Sequence, residues 1–161
     1  MGYADVILPE FDHEMASTRS VLELVPDDRL DWKAGESFNT IGWNANHLAE
    51  IPGWVAGTLA DTSFEIEGYQ SPTLGSAAEI VALFDENVAT ARAALAQAKD
   101  DEMGAQWSLL QSGTPIIQMP RAGVIRSFVL NHLIHHRAHL IVYLRLNGVK
   151  VPGMYGPGGN G

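Results

Sequence analysis

Apolar side chains recur at helical spacing in four stretches of the chain, and between them the pattern dissolves into Gly, Pro and polar residues. From residue 4 to 25, Val6, Ile7, Phe11, Met15, Thr18, Leu22 and Val25 follow one another mostly at intervals of three, four or seven, the period of one helix face. Pro26 ends that pattern. The connector "RLDWKAGESFNT" offers Ser37, Asn39 and Thr40 as N-caps, and a second helix is predicted over 41–60. Pro52 lies inside it and should kink it, because proline lacks an N–H and crowds the carbonyl four residues back. After the polar, Gly/Pro-marked loop "DTSFEIEGYQSPTLG", Ser76 and Glu79 form a capping box. They open a third helix whose stripe runs Ile80, Leu83, Phe84, Val88, Ala91, Leu95.

The segment 100–120 is irregular, reading as a short helical turn and then an extended piece at "TPIIQM". Pro120 suits a helix start, a fourth helix is predicted over 121–147, and Gly148 supplies its stop. The expected fold is all-α: a four-helix bundle with long second and third connections. It forms a single domain over 1–150, followed by a Gly/Pro-rich tail over 151–161.

Composition narrows the function classes. The 161 residues suffice for one domain with a real core. The net charge of −9 argues against nucleic acid and anionic lipid, which need clustered Lys and Arg. There are no cysteines, so any metal site must use nitrogen and oxygen ligands. The first residues lack the basic and apolar regions of a signal peptide, and no apolar run is long enough to span a membrane. A cytoplasmic location is the expectation.

The chemistry concentrates in "NHLIHHRAHL". Four of the six histidines, His132, His135, His136 and His139, fall in this one segment. At about 100° per residue, all four share one side of the last helix with Ile125, Phe128, Val129, Tyr143 and Leu146, whereas Arg126, Arg137 and Arg145 lie outside that sector. They are therefore expected to point into the bundle. Crowded buried imidazoles need partners for their nitrogens, and a shared cation provides them. Both His132/His136 and His135/His139 have the i, i+4 spacing that lets two imidazoles converge on an ion. The first pair is preferred because it straddles the middle of the apolar sector. For a third ligand, His47 in "NHLAEIPGW" sits on an apolar face with Trp43, Ile51 and Trp54. His13 is expected on a helix surface, Glu50 facing solvent, and Trp43 and Trp54 in the core. The expected metal ligands are thus His47, His132 and His136, with His135 and His139 as pocket groups.

The stretches "VPDDRLDWKAGES", "HLAEIPGW" and "PRAGVIRSFVLNHLIHHRAHLIVYLRLNGVKVPGMYGP" together resemble the DinB-like proteins, the DinB/YfiT family, over nearly the whole chain. The resemblance implies a four-helix bundle, frequently dimeric, with a divalent metal, often zinc or nickel, held by one histidine of the second helix and two of the last. These correspond to His47, His132 and His136. Where the family commonly shows His-His-Arg-Gly-Gln, this chain has "HHRAH", which makes His139 either a fourth ligand or a pocket wall. The ending "GPGGNG" also departs from the usual Ser-Ala-Asp-Glu continuation.

Three neutral histidines leave a cation its full charge and open coordination positions, as in catalytic rather than structural sites. Leu133 follows His132, so there is no HExxH motif and no general base of the metallopeptidase type. The expected activity is a metal-dependent transferase that activates a small-molecule thiol cosubstrate, since the chain has none of its own. The alternatives are a metal-dependent hydrolase, or a non-catalytic metal or small-molecule binding protein. A second apolar strip on the last helix, Leu130, Ile134, Ile141 and Leu144, leads to the expectation of a homodimer.

Overall fold

A computed structural model describes residues 2–156; the end of the predicted tail, 157–161, lies outside them. Four helical segments pack around one core. They are α1 (Tyr3–Leu22), the broken pair α2 (Ile41–Glu50) and α3 (Trp54–Ala60), α4 (Ala77–Gln97), and the final run of α5 (Arg121–Val124), a π-helical stretch Ile125–Asn131 and α6 (His132–Leu146). The helices α1 and α2 each pack against α4 and α6. Ile7, Phe11, Met15 and Leu22 of α1 meet Ile80, Phe84, Ala91 and Leu95 of α4 in the buried centre. Val6, included in the predicted stripe, is instead exposed.

The caps follow local chemistry. Thr40 Oγ1 accepts from the Trp43 N–H at 3.0 Å, and Ser76 Oγ accepts from the Glu79 N–H at 3.3 Å. The Glu79 carboxylate reaches back to the Ser76 hydroxyl at 2.9 Å and the Gly75 N–H at 3.3 Å, rather than to the Ser76 N–H of a full capping box. At the far end, Gly148 (φ 78°) lets its own N–H reach Arg145 O and that of Val149 reach Leu144 O, a Schellman stop. Pro52 breaks the second helix through a 3₁₀ turn, Ile51–Gly53. Asn87 of α4 lies against this turn and donates to Ala49 O at 2.8 Å. A Cβ on Gly53 would sit 2.9 Å from Asn87 Oδ1, so a larger residue here would push the Asn87 amide aside.

The fold is not strictly all-α. A three-stranded sheet, in order β1 (Ser63–Glu65), β2 (Gln106–Gln111), β3 (Thr114–Pro120), pairs β1 parallel to β2 and β2 antiparallel to β3. The "TPIIQM" stretch is extended as expected. The unexpected strands are "SFE", inside the predicted polar loop, and "QWSLLQ". The hairpin turns on Ser112 (φ 50°) and Gly113 (φ 72°), the paired positive-φ residues that a two-residue turn needs. Glu65 secures it by accepting from both turn N–H groups, at 3.2 and 2.8 Å. The sheet lies beside α3 and α5 and walls one side of the site.

The last helix is turned differently from the helical-wheel expectation. Its buried stripe is Leu133, Arg137, Leu140, Tyr143 and Leu144, of which only Tyr143 was expected to point inward, and Arg137 is only 1 % exposed. A buried arginine inside that stripe reads as polar in sequence, so the apparent apolar sector was displaced toward the histidines. As a result His132 and His136 stand at the edge of the core, while His135 and His139 face solvent. Of the second apolar strip, Leu130 and Leu144 are fully buried by the chain's own bundle. Among the described residues, no helix is long and apolar enough to cross a membrane.

Candidate metal centre

Helix α2 carries His47 near its C-terminal end, and α6 carries His132 and His136 on successive turns. Their Nε2 atoms converge: His132 Nε2 lies 3.3 Å from that of His47 and 2.9 Å from that of His136. The far sides of the rings are held by oxygen acceptors. His47 Nδ1 donates to Glu50 Oε1 at 2.5 Å, His136 Nδ1 lies 3.4 Å from Asn44 Oδ1, and His132 bonds to the Phe128 backbone one turn earlier. The π-helical stretch precedes His132 directly. Such wide turns occur often at functional sites, and this one sets the phase of α6 relative to α5.

With the far nitrogens engaged as donors, the three Nε2 lone pairs face one another. They repel unless a cation or a proton lies between them. One ligand atom from each histidine lies within 4.8 Å of the others, and the oxygen acceptors behind them are the partners that orient metal-binding imidazoles. The donor set therefore fits a divalent ion that accepts nitrogen ligands.

The surroundings favour the neutral form of His132 and His136. Burial, reinforced by the neighbouring His47, His132, His135 and His139, pushes His136 down from 6.5 to about 3. His132 is lowered by burial and by His47. Glu50 is 4 % exposed, not solvent-facing as expected. Burial disfavours its charge, but bonds from His47, Tyr69 Oη (2.7 Å) and Ser71 Oγ (3.0 Å) outweigh that and hold it below the ordinary carboxylate value. Burial and the adjacent Glu50 raise Tyr69 to about 12, so its hydroxyl stays protonated. Trp43 is a site wall rather than core, whereas Trp54 packs against the core as expected and also lines the site. Trp43 stacks on His47 at 4.8 Å, Trp54 meets the same ring edge-on at 5.6 Å, and Trp43 is 41 % exposed.

His47, Glu50 and His132 border a cavity of about 370 Å³. Its walls are chiefly apolar, with Trp54, Phe64, Trp107, Leu109, Phe128 and Val129 among them, and no Lys or Arg lines it among the described residues. His139 and His13 stand apart from the triad: His139 groups with His135 and His136, and His13 is exposed beside the Tyr155 ring.

Sequence reasoning missed the brace behind α6. Arg137 pairs with Glu14 Oε2 at 2.6 Å, donates to Glu14 O and Thr18 Oγ1, and reaches Tyr155 Oη at 2.7 Å. This ties α6 to α1 and to the described part of the tail, with His136 on the adjoining face toward α2. The signal available was an arginine between positions of helical core spacing, Leu133 and Leu140. The cavity residues of the sheet and its approach, Phe64, Tyr69, Ser71, Trp107 and Leu109, were also missed, because neither "SFE" nor "QWSLLQ" was read as a strand.

Comparisons with known proteins agree with this architecture. The DinB family profile matches residues 1–160. The chain is 30% identical over 159 residues to uncharacterized protein YrdA of Bacillus subtilis (strain 168), covering 95% of this chain and 88% of that protein. A crystal structure of a DinB-like protein from Bacillus cereus ATCC 10987 superposes with a TM-score of 0.72 at 26% identity, over 92% of this chain and 95% of that one. A DinB-like protein of Bacillus subtilis, YjoA, shares the fold with a TM-score of 0.72 at 17% identity, over 92% and 96% of the two chains. With its broken second helix and histidine-bearing last helix, the chain belongs to the DinB family.

Proposed function

We propose that His47, His132 and His136 hold one divalent cation, zinc or nickel, and that the protein is a metal-dependent transferase acting on a small-molecule thiol and an apolar electrophile. The observation that carries this reading is the convergence of three oriented Nε2 atoms at the edge of an apolar cavity. Bound there, such an ion supplies Lewis acidity that lowers the pKa of a thiol or water in contact with it. Because the chain has no cysteine, the thiol comes from solution.

The residues divide the remaining work. Glu50 fixes the tautomer and direction of His47 and is itself fixed by Tyr69 and Ser71. Trp54, Phe64 and Phe128 exclude water from the electrophile. Glu50 and Asp61 are the carboxyl groups on the wall, so an uncharged electrophile fits better than an anionic one. In the reaction the thiol gives up its proton to solvent water, its sulfur bonds to the electrophilic carbon, and the leaving group departs with the electrons of the broken bond. With three donors on its carboxylate, Glu50 is poorly placed as a general base, which favours thiol transfer over hydrolysis.

The test is to incubate tag-free, metal-loaded protein with a low-molecular-weight thiol and a neutral aryl or alkyl electrophile, and to follow the conjugate by mass spectrometry. Conjugate that requires both metal and His132 supports the reading. Hydrolysis without thiol dependence supports the hydrolase instead, and metal uptake with no turnover supports a binding protein. Assembly as a homodimer belongs to the same proposal, with Val142 and Leu146 as exposed apolar residues on α6. Sedimentation at micromolar concentration showing only monomer removes it.

A further inference from the structure

His135 and His139 are left unexplained by the triad. Both face solvent one turn apart on α6, with ring centroids 4.3 Å apart. The ring of His136 lies beside them, 5.0 Å from His135 and 6.0 Å from His139. One nitrogen from each of these three falls within 4.8 Å of the others. No side-chain hydrogen bond holds the ring of His135 or of His139 among the described residues, so both are free to turn. Imidazoles at i and i+4 converge on one ion, and imidazole donors suit Ni²⁺, Cu²⁺ and Zn²⁺ rather than Mg²⁺ or Ca²⁺. The outer group therefore has the composition of a metal site, but it lacks the buried acceptors that orient the inner rings, which makes it weaker.

His136 belongs to both groups. Its Nε2 faces the triad, whereas its Nδ1 contact to Asn44 is long at 3.4 Å. We propose that His135 and His139 form a second, solvent-facing site for a divalent ion of the nickel, copper or zinc type, and that this site captures the ion and passes it to the triad through the shared His136. An ion moving this way exchanges ligands one at a time and is never wholly stripped of them. Capture also turns the second step into an intramolecular one, at an effective concentration on the order of millimolar. The delivery role rests on the triad being the final metal site; the outer site itself does not.

The experiment loads tag-free, metal-free full-length protein with Ni²⁺ from a chromophoric chelator, by equilibrium titration and by stopped flow. The wild type is expected to take up one tight and one weaker equivalent. The H135A/H139A double variant, changed only at exposed positions, should lose the weaker equivalent and keep the affinity of the tight one. At micromolar nickel its tight site should fill about tenfold more slowly or worse. The H47A/H132A variant should keep the weaker equivalent alone. A weaker equivalent that survives H135A/H139A overturns the outer site, and an unchanged filling rate overturns the delivery role. If the wild type shows no tight equivalent, the proposed function fails, yet a weaker equivalent abolished by H135A/H139A still establishes the outer site.

Discussion

Replacing Glu50 with Gln isolates the part of the site that lies behind the ligands. The substitution preserves shape and one carbonyl acceptor while removing the charge. In the native arrangement Glu50 Oε1 accepts from His47 Nδ1 at 2.5 Å and from Ser71 at 3.0 Å, and Oε2 accepts from Tyr69 at 2.7 Å. Glutamine can keep its oxygen on His47 and Ser71 and turn its amide toward the Tyr69 oxygen, so that only the Tyr69 proton must seek a new acceptor in the cavity. What is lost is the charge assistance on the His47 bond, which is roughly twice as strong as a neutral one. Loss of such an outer partner typically weakens metal binding by about 10–100-fold, which is about 1.4–2.8 kcal/mol. Chelator competition with Zn²⁺ or Ni²⁺ measures this directly, and a thermal melt of the metal-free variant confirms that it folds. Ser71→Ala serves as the control: it removes one neutral donor, leaves the carboxylate–imidazole bond intact, and should shift affinity much less. If E50Q binds metal as tightly as the wild type, the claim that Glu50 tunes the triad through His47 is wrong.

Other consequences can be checked on the same protein. The metal-free form should lose stability as pH falls from 6.5 toward 3, because the unfolded chain protonates His136 in that window while the folded chain, held down to about 3, does not. Glu50 acts in the same direction lower down, since its depressed value contributes stability that disappears as it protonates; a melting temperature in EDTA that stays flat from pH 7 to pH 5 contradicts the His136 part. Arg137→Ala strands the buried Glu14 carboxylate and should cost about 3–5 kcal/mol in denaturant unfolding, whereas Arg137→Met combined with Glu14→Leu should cost far less. Gly113→Ala places a Cβ at φ 72° and should destabilise the protein by about 1–2 kcal/mol, again read by denaturant unfolding.

The helices were legible because their signals are local. Ser76 with Glu79, Thr40, Pro52 and Gly148 each act within one turn of chain, and the structure shows a cap, a break or a stop at each. The sheet was less legible. "SFE" has no alternation long enough to announce a strand, and it exists because β2 offers it a parallel edge. The "QSGT" turn did carry a hairpin signal in its Ser-Gly pair, visible once the flanking residues are read with period two. His47, His132 and His136 could be selected from spacing and apolar flanks. The inward direction of His135 and His139 could not be judged correctly, because the stripe that orients α6 contains Arg137, whose burial depends on Glu14 more than a hundred residues away. The burial of Glu50 likewise comes from Tyr69 and Ser71, which lie in a loop that hydropathy reads as solvent-facing.

The central claim is that three Nε2 atoms from two helices grip a single ion. Crystals of tag-free protein loaded with zinc or nickel, measured on both sides of the metal's absorption edge, test it most directly. The account predicts an anomalous peak at about 2.0–2.1 Å from the Nε2 atoms of His47, His132 and His136 together. A loaded crystal whose metal peak leaves His47 uncoordinated would contradict it.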